Sequence, residues 1–325
     1  MKENRAMSKR NKVFIVSVVL AVFIIMPLVV DVYITYMATI ICIFVMLAVG
    51  LNILVGFSGQ ISLGHAAFFG IGAYTSALLM RHFGIPFWFS MPIGGVLAAI
   101  VGFLVGLPAL KVSGHYLALV TLAFGEIIQL ILIHWESLTG GFTGIMVPVP
   151  TLFGFEFSTD TSKYYLTFAI TIFLVHCANN IVESRIGRAL RSIKGSEVAS
   201  QAMGVNLARY KLLAFIISAF YAGVAGGLYG ILLAFISPEY FGLFDSILYL
   251  MMVVIGGLGS IGGSIVGAVI LGILPEALRR FQDYQDFIYG AILLLSIVFM
   301  PRGLVGIFIG VREKFRRGVE MESGR

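Results

Sequence analysis

LYLMMVVIGGLGSIGGSIVGAVILGIL, Leu248–Leu274, carries no charged residue and interrupts its apolar run with a glycine-rich joint, Gly256–Ser264. A helix needs about 20 apolar residues to cross ~30 Å of hydrocarbon. The run from Asp245 to Leu278 is too long for one such helix and too short for two with a loop between them. It therefore reads as two short or broken helices that meet at the joint.

The rest of the chain agrees. Of its 325 residues, 59% are hydrophobic and 12% charged, with a mean hydropathy of +1.00, more apolar surface than a water-soluble fold buries. Long apolar runs without period-2 alternation favour helices over a barrel. The fold class is an all-α polytopic membrane protein, a glycine-rich bundle of about ten transmembrane or broken membrane helices. Spans are expected at 13–30, 33–55, 63–80, 87–107, 114–134, 164–182 and 211–234, then the two broken helices within 246–278, then a last span near 287–300. The first run follows Lys2, Arg5, Lys9, Arg10 and Lys12 as a secretory signal would, but its length, Pro27, Asp31 and Tyr33 favour an uncleaved span.

The net charge of +6 comes from Lys and Arg at the chain ends and between spans, a positive-inside pattern and not a nucleic-acid surface. It sets both termini, Lys111, the 183–211 segment and the basic tail 311–325 in the cytoplasm, with Asp31, 136–160 and Glu239 outside. Residues 1–310 form a single transmembrane domain. Cys42 and Cys177 lie inside expected spans and serve packing. No HExxH or Cys/His spacing suggests a metal, and no cofactor is called for.

A fainter signal is an internal echo: VGFSGQI (Val55–Ile61) matches IGGLGSI (Ile255–Ile261) at Gly56/Gly256, Gly59/Gly259 and Ile61/Ile261. Both segments end at the cytoplasmic side of the map, so a repeat would be parallel. Glycine-interrupted segments at corresponding places in two halves are where transporters tend to bind cargo, and chance matching in glycine-rich sequence is the rival.

The exception to all this apolarity is ESRIGRALRSIKGSEVASQAMGV, Glu183–Val205. Its first part reads as an amphipathic extension of the preceding span, with Ile186, Ala189, Leu190 and Ile193 on one face and Arg188 and Arg191 on another. Gly195 breaks it. Ser196 then serves as N-cap and Glu197 as a first-turn acid for a short helix, Glu197–Met203, ended by Gly204 in a left-handed C-cap, with Asn206 capping the next helix. Small residues Ala199, Ser200 and Ala202 allow close approach of another surface. A solvated loop that only fixes topology through attraction to anionic lipid is the alternative.

Five stretches together resemble the membrane permease subunits of bacterial ABC importers for branched-chain amino acids: Gly50–Tyr74, Tyr116–Leu130, Leu138–Ile145, Ser184–Phe215 and Gly256–Ala268. The likeness runs from about Leu51 to Phe308 and is nearer the longer, M-type subunit than its H-type companion. It implies an assembly in the bacterial inner membrane of two permeases, two cytosolic ATPase subunits and a periplasmic or lipid-tethered solute-binding protein. It also implies that Ser196, Glu197, Ala199, Ser200, Ala202, Met203 and Gly204 form the family's ATPase-docking EAA segment. Here Gly204 lies seven residues after Glu197 instead of six and Val198 separates the acid from the alanine, which leaves the register of docking open. Independently, no G-x-x-x-x-G-K-[ST] phosphate loop occurs, so hydrolysis of ATP falls to another polypeptide.

Candidates for the translocation path are Asn52, Gln60, Ser62 and His65, polar groups among glycines, and Glu126, an ionisable residue near the middle of an expected span. Helix-to-helix hydrogen bonding accounts for the same residues equally well. TGGFTG, Thr139–Gly144, is an external turn able to meet a binding protein or simply to reverse the chain. An ion-coupled secondary transporter or channel using Glu126 stays open as the alternative function. A membrane hydrolase is disfavoured, because GFSGQ lacks the G-x-S-x-G elbow spacing.

Overall fold

The computed structural model describes residues 23–110, 112, 114–152, 154–278, 287–288 and 290–291. The basic segment 1–12, most of the expected first and last spans, Lys111 and the tail 311–325 lie outside the described residues.

The protein is a helical bundle. Helix α1 (Val32–Asn52) continues into a π-helical turn, Ile53–Phe57, and α2 (His65–Phe83) follows an irregular break. Then come α3 (Phe87–Ala109), α4 (His115–His134), α5 (Asp160–Glu183), α6 (Arg185–Gly195), α7 (Glu197–Ala202), α8 (Leu207–Leu233), α9 (Leu243–Gly256) and α10 (Ile261–Ala277). Among the described residues, five helices are long and apolar enough to cross a membrane: α1 with its π turn, α3, α4, α5 and α8. α9 and α10 are shorter apolar helices on either side of Gly257–Ser260, the two broken helices read from the glycine joint.

Helix α2 is the informative exception. It is expected as a span at 63–80 and is long enough at 19 residues, yet its composition is not apolar enough to place it among the five. It packs chiefly against α3 and α8 with His65, Tyr74 and Ser76 buried. A helix wrapped by protein has no lipid to satisfy, so polar residues are admissible along it.

Glycine sets how close these helices come. A Cβ at Gly72 of α2 would strike the backbone of Gly223 on α8, and one at Gly226 would strike Phe69. On α3 a Cβ at Gly102 would lie 2.6 Å from Ala219 Cβ. Between α9 and α10 a Cβ at Gly267 would run into the Met252 carbonyl. Without a hydrophobic drive between helices in lipid, such backbone approach supplies much of the association through dispersion. α1 lies deepest, with 83% of its most apolar window buried, against 17% for α4.

The all-α expectation needs one amendment. The link between α4 and α5 forms two small antiparallel pairs, Ile145–Met146 with Phe235–Ile236 and Thr151–Leu152 with Phe155–Glu156. TGGFTG feeds the first. Gly140, Gly141 and Gly144 all take positive φ, and Thr139 Oγ1 donates to Leu132 O at 2.6 Å. A Cβ at Gly144 would strike Ile236 O. The turn is thus packed against the α8–α9 connection instead of standing free.

Candidate functional site

The 183–206 segment is built by consecutive caps. Ser184 takes extended backbone, its hydroxyl donates to Ile181 O at 2.6 Å and accepts from Ile186 N–H at 3.1 Å. These bonds end α5 and start α6 afresh, so the basic stretch is a separate helix and not the expected extension of the span. α6 buries Gly187, Leu190 and Ile193; Gly187 is needed because a Cβ there would meet the Val182 backbone. Ile186 and Ala189 flank that face half-buried.

Ser196 turns the chain again and its Oγ accepts from Ala199 N–H at 3.2 Å, capping α7 as the sequence foretold. Gly204, at φ +82°, ends it with its N–H on Gln201 O at 3.0 Å, and Asn206 Oδ1 accepts from Arg209 N–H at 3.0 Å to begin α8. So short a helix is unstable alone; tertiary ties hold it. Glu197 takes a 2.7 Å bond from Lys211 Nζ on α8, and Ser200 Oγ donates to Ser196 O at 2.8 Å while lying 2.6 Å from Ser192 Oγ of α6.

These ties divide the segment's faces. Ser200, expected among the approach residues, is buried and bonded to Ser196 and Ser192 within this chain. Ala199 and Ala202 are exposed as expected, together with Glu197 and Gly204. The protruding apolar groups are Val198, 81% exposed, and Met203, 84% exposed. Val198, which spoils the spacing of the motif, is one of its two most presented side chains. Sequence reasoning also missed Lys211; the signal available was a cation entering the next helix opposite a first-turn acid.

Beside this segment the two glycine breaks meet. A Cβ at Gly56 would lie 2.5 Å from Gly259 N. Gly59 and Gly259, equivalent in the echo, both adopt positive φ, +77° and +84°. Fully buried Asn52 binds the second break: Nδ2 donates to Ser260 O at 2.9 Å and Ser264 Oγ at 2.5 Å, and Oδ1 accepts from Gly259 N–H at 2.9 Å. From the other side Lys194 Nζ donates to Gly56 O at 2.6 Å. Partial desolvation lowers the pKa of this ammonium from the ordinary lysine value, although the residue as a whole is exposed.

The remaining path candidates divide. Gln60, Ser62 and His65 are buried in the subunit, close in sequence around the first break. Gln60 Nε2 donates to Ser58 Oγ at 2.7 Å, but Gln60 Oε1 and Ser62 Oγ have no partner among the described residues. His65 lies edge-on to the Tyr249 ring, with Nδ1 3.5 Å from Ser218 Oγ. Glu126 lies on α4, half-exposed, with no hydrogen bond or ion pair among the described residues. Its neighbour Gly125 packs against Gly64 and Leu63, so α4 passes beside the first break. Among the described residues no group of His, Cys, Asp or Glu is arranged to hold a metal.

The family described as "Branched-chain amino acid transport system / permease component" matches residues 33–297. The chain is 37% identical over 292 residues to the high-affinity branched-chain amino acid transport system permease protein LivM of Escherichia coli (strain K12), covering 82% of this chain and 69% of that protein. It is 29% identical over 284 residues to LivH of the same strain, 81% of this chain and 91% of that one. To a probable LivM of Methanocaldococcus jannaschii it is 25% identical over 312 residues, 79% and 89% of the two chains. No solved structure matches the chain. With apolar helices on this scale and a family match over most of its length, the chain is an integral membrane protein that belongs to the branched-chain amino acid transport permease family.

Proposed function

We propose that this chain is the M-type permease subunit of an ATP-driven importer for branched-chain or related neutral amino acids, forming half of the translocation path. Its partners are an H-type permease, two cytosolic ATPase subunits and a solute-binding protein. It resides in the bacterial inner membrane as about ten membrane segments, with both termini and residues 183–210 in the cytoplasm and 311–325 as a basic tail. The supporting relatives bear names of that system.

The observation that carries the coupling role is the build of α7. It is capped at both ends and fastened by Glu197–Lys211, while Val198 and Met203 project into solvent. Apolar side chains so exposed on a short, braced helix suit insertion into a groove on another protein. Met203→Glu is expected to release the ATPase subunits from the purified complex, and Gly204→Pro to abolish uptake. The latter follows because proline fixes φ near −65° and lacks the N–H that bonds Gln201 O. Unchanged ATPase attachment and uptake in both variants would sink the reading.

A second reading rests on Glu126. An unpaired carboxylate on a membrane helix faces protein or water, which suits either a path shared with the second permease or a proton site in an ion-coupled carrier. Leucine uptake by this chain alone in proteoliposomes, driven by a proton gradient without ATPase subunits, would favour the carrier.

A further inference from the structure

We propose that Lys194 and Arg191 of α6 form the link that carries movement of the coupling segment to the crossing of the two glycine breaks. Lys194 is the positioning residue that moves both breaks together. This rests on the reading of α7 as the ATPase contact.

The last carbonyls of a helix have no partner within it, and here α1 ends in a π turn, Ile53–Phe57, a form concentrated at functional sites. Lys194 Nζ donates to Gly56 O in that turn, where a cation also complements the helix dipole. Gly56 packs directly on Gly259, and Nζ lies 3.9 Å from the position of a Cβ on Gly259. One ammonium therefore sits where both breaks touch. Asn52 locks them from within, so a pull on Gly56 is felt at Gly259 and Ser260.

Arg191 supplies the second attachment. Its guanidinium carbon lies 5.9 Å from the centre of the Phe57 ring, in the same π turn, and its Nη2 donates to Val182 O at 2.5 Å. At the other end, α6 and α7 move as a unit: Ser192 Oγ and Ser200 Oγ are 2.6 Å apart, and Ser196 N–H bonds Ser192 O at 3.1 Å. Displacing α7 thus displaces Lys194, the residue before Gly195, first. Topology does not require this charge, since Arg185 and Arg188 are already exposed on the same helix. Lys194 is exposed as well, and what sets it apart from those arginines is that its ammonium is committed to a backbone carbonyl of the π turn.

The test is the assembled transporter in proteoliposomes with leucine as probe, measuring solute moved per ATP hydrolysed. Lys194→Met is expected to assemble and hydrolyse ATP while moving less solute per ATP by roughly tenfold or more. Lys194→Arg, which can still donate to Gly56 O, restores most of the ratio. A Lys194→Met complex that keeps the ratio within about twofold overturns the proposal. Failure of that variant to assemble also overturns it, by assigning the residue to folding. Met203→Glu separates the two readings: if it leaves the ATPase attached, the reading of α7 fails, whereas release of the ATPase beside a coupled Lys194→Met complex defeats only the link.

Discussion

The two glycine breaks share a pattern and differ in how they are satisfied. The second, Gly257–Ser260, is a tight turn between α9 and α10 whose polar groups are met by Asn52 and by Ser260 capping Gly263 N–H at 3.1 Å. The first, Ser58–Gly64, is longer, follows a π turn, and leaves Gln60 Oε1 and Ser62 Oγ buried without partners among the described residues. A buried polar atom left unpaired costs about 1–3 kcal/mol. Such a cost is found where function requires it more often than where only stability does. The pair therefore divides into a fixed turn that serves as an anchor and a looser one with polar capacity to spare, and Lys194 sits at the entry to the looser one, bonded to Gly56 O of the π turn and in contact with Gly59.

The comparison breaks most severely at Asn52. Asn52→Leu strips partners from Gly259 N–H, Ser260 O and Ser264 Oγ at once, for a loss on the order of 3 kcal/mol that thermal unfolding of the purified protein would register. Next come the paired left-handed glycines. Gly259→Ala brings its Cβ to 3.2 Å from Gly56 O on top of the φ penalty, whereas at Gly59 the new Cβ meets Lys194 only at ordinary contact distance. The former is expected to cost about 2 kcal/mol and the latter about 1 kcal/mol; equal losses would erase the distinction between the breaks. Smallest is Ser62→Ala. Removing an unpaired hydroxyl should leave stability within about 1 kcal/mol of the parent or slightly raise it, yet lower leucine uptake if the first break borders the path. Unchanged uptake would reduce Ser62 to a packing residue.

Caps were the most legible part of the site. Ser196, Gly204 and Asn206 act through bonds to backbone two or three residues away, so short-range spacing reveals them. Direction was not legible in the same way. Nothing local tells that Ser200 faces α6 while Val198 faces solvent, because that depends on Ser192 and Lys211 arriving from other helices. The same holds for the arginines and Lys194. Composition marks them as a topology signal, and only their neighbours reveal that two of them hold a π turn.

By itself the sequence determined the solvent, the helical class, a break within Gly256–Ser264 and the capped helix after Gly195, since each follows from hydropathy, length or near-neighbour hydrogen bonding. It also held the echo between 55–61 and 255–261, without indicating that the two segments touch. Tertiary structure alone decided that contact, the burial of α2 within the bundle and the commitment of Asn52 to the second break. Each of these joins residues more than 50 positions apart or depends on which helix covers which, and glycine lets backbones meet without announcing the partner it admits.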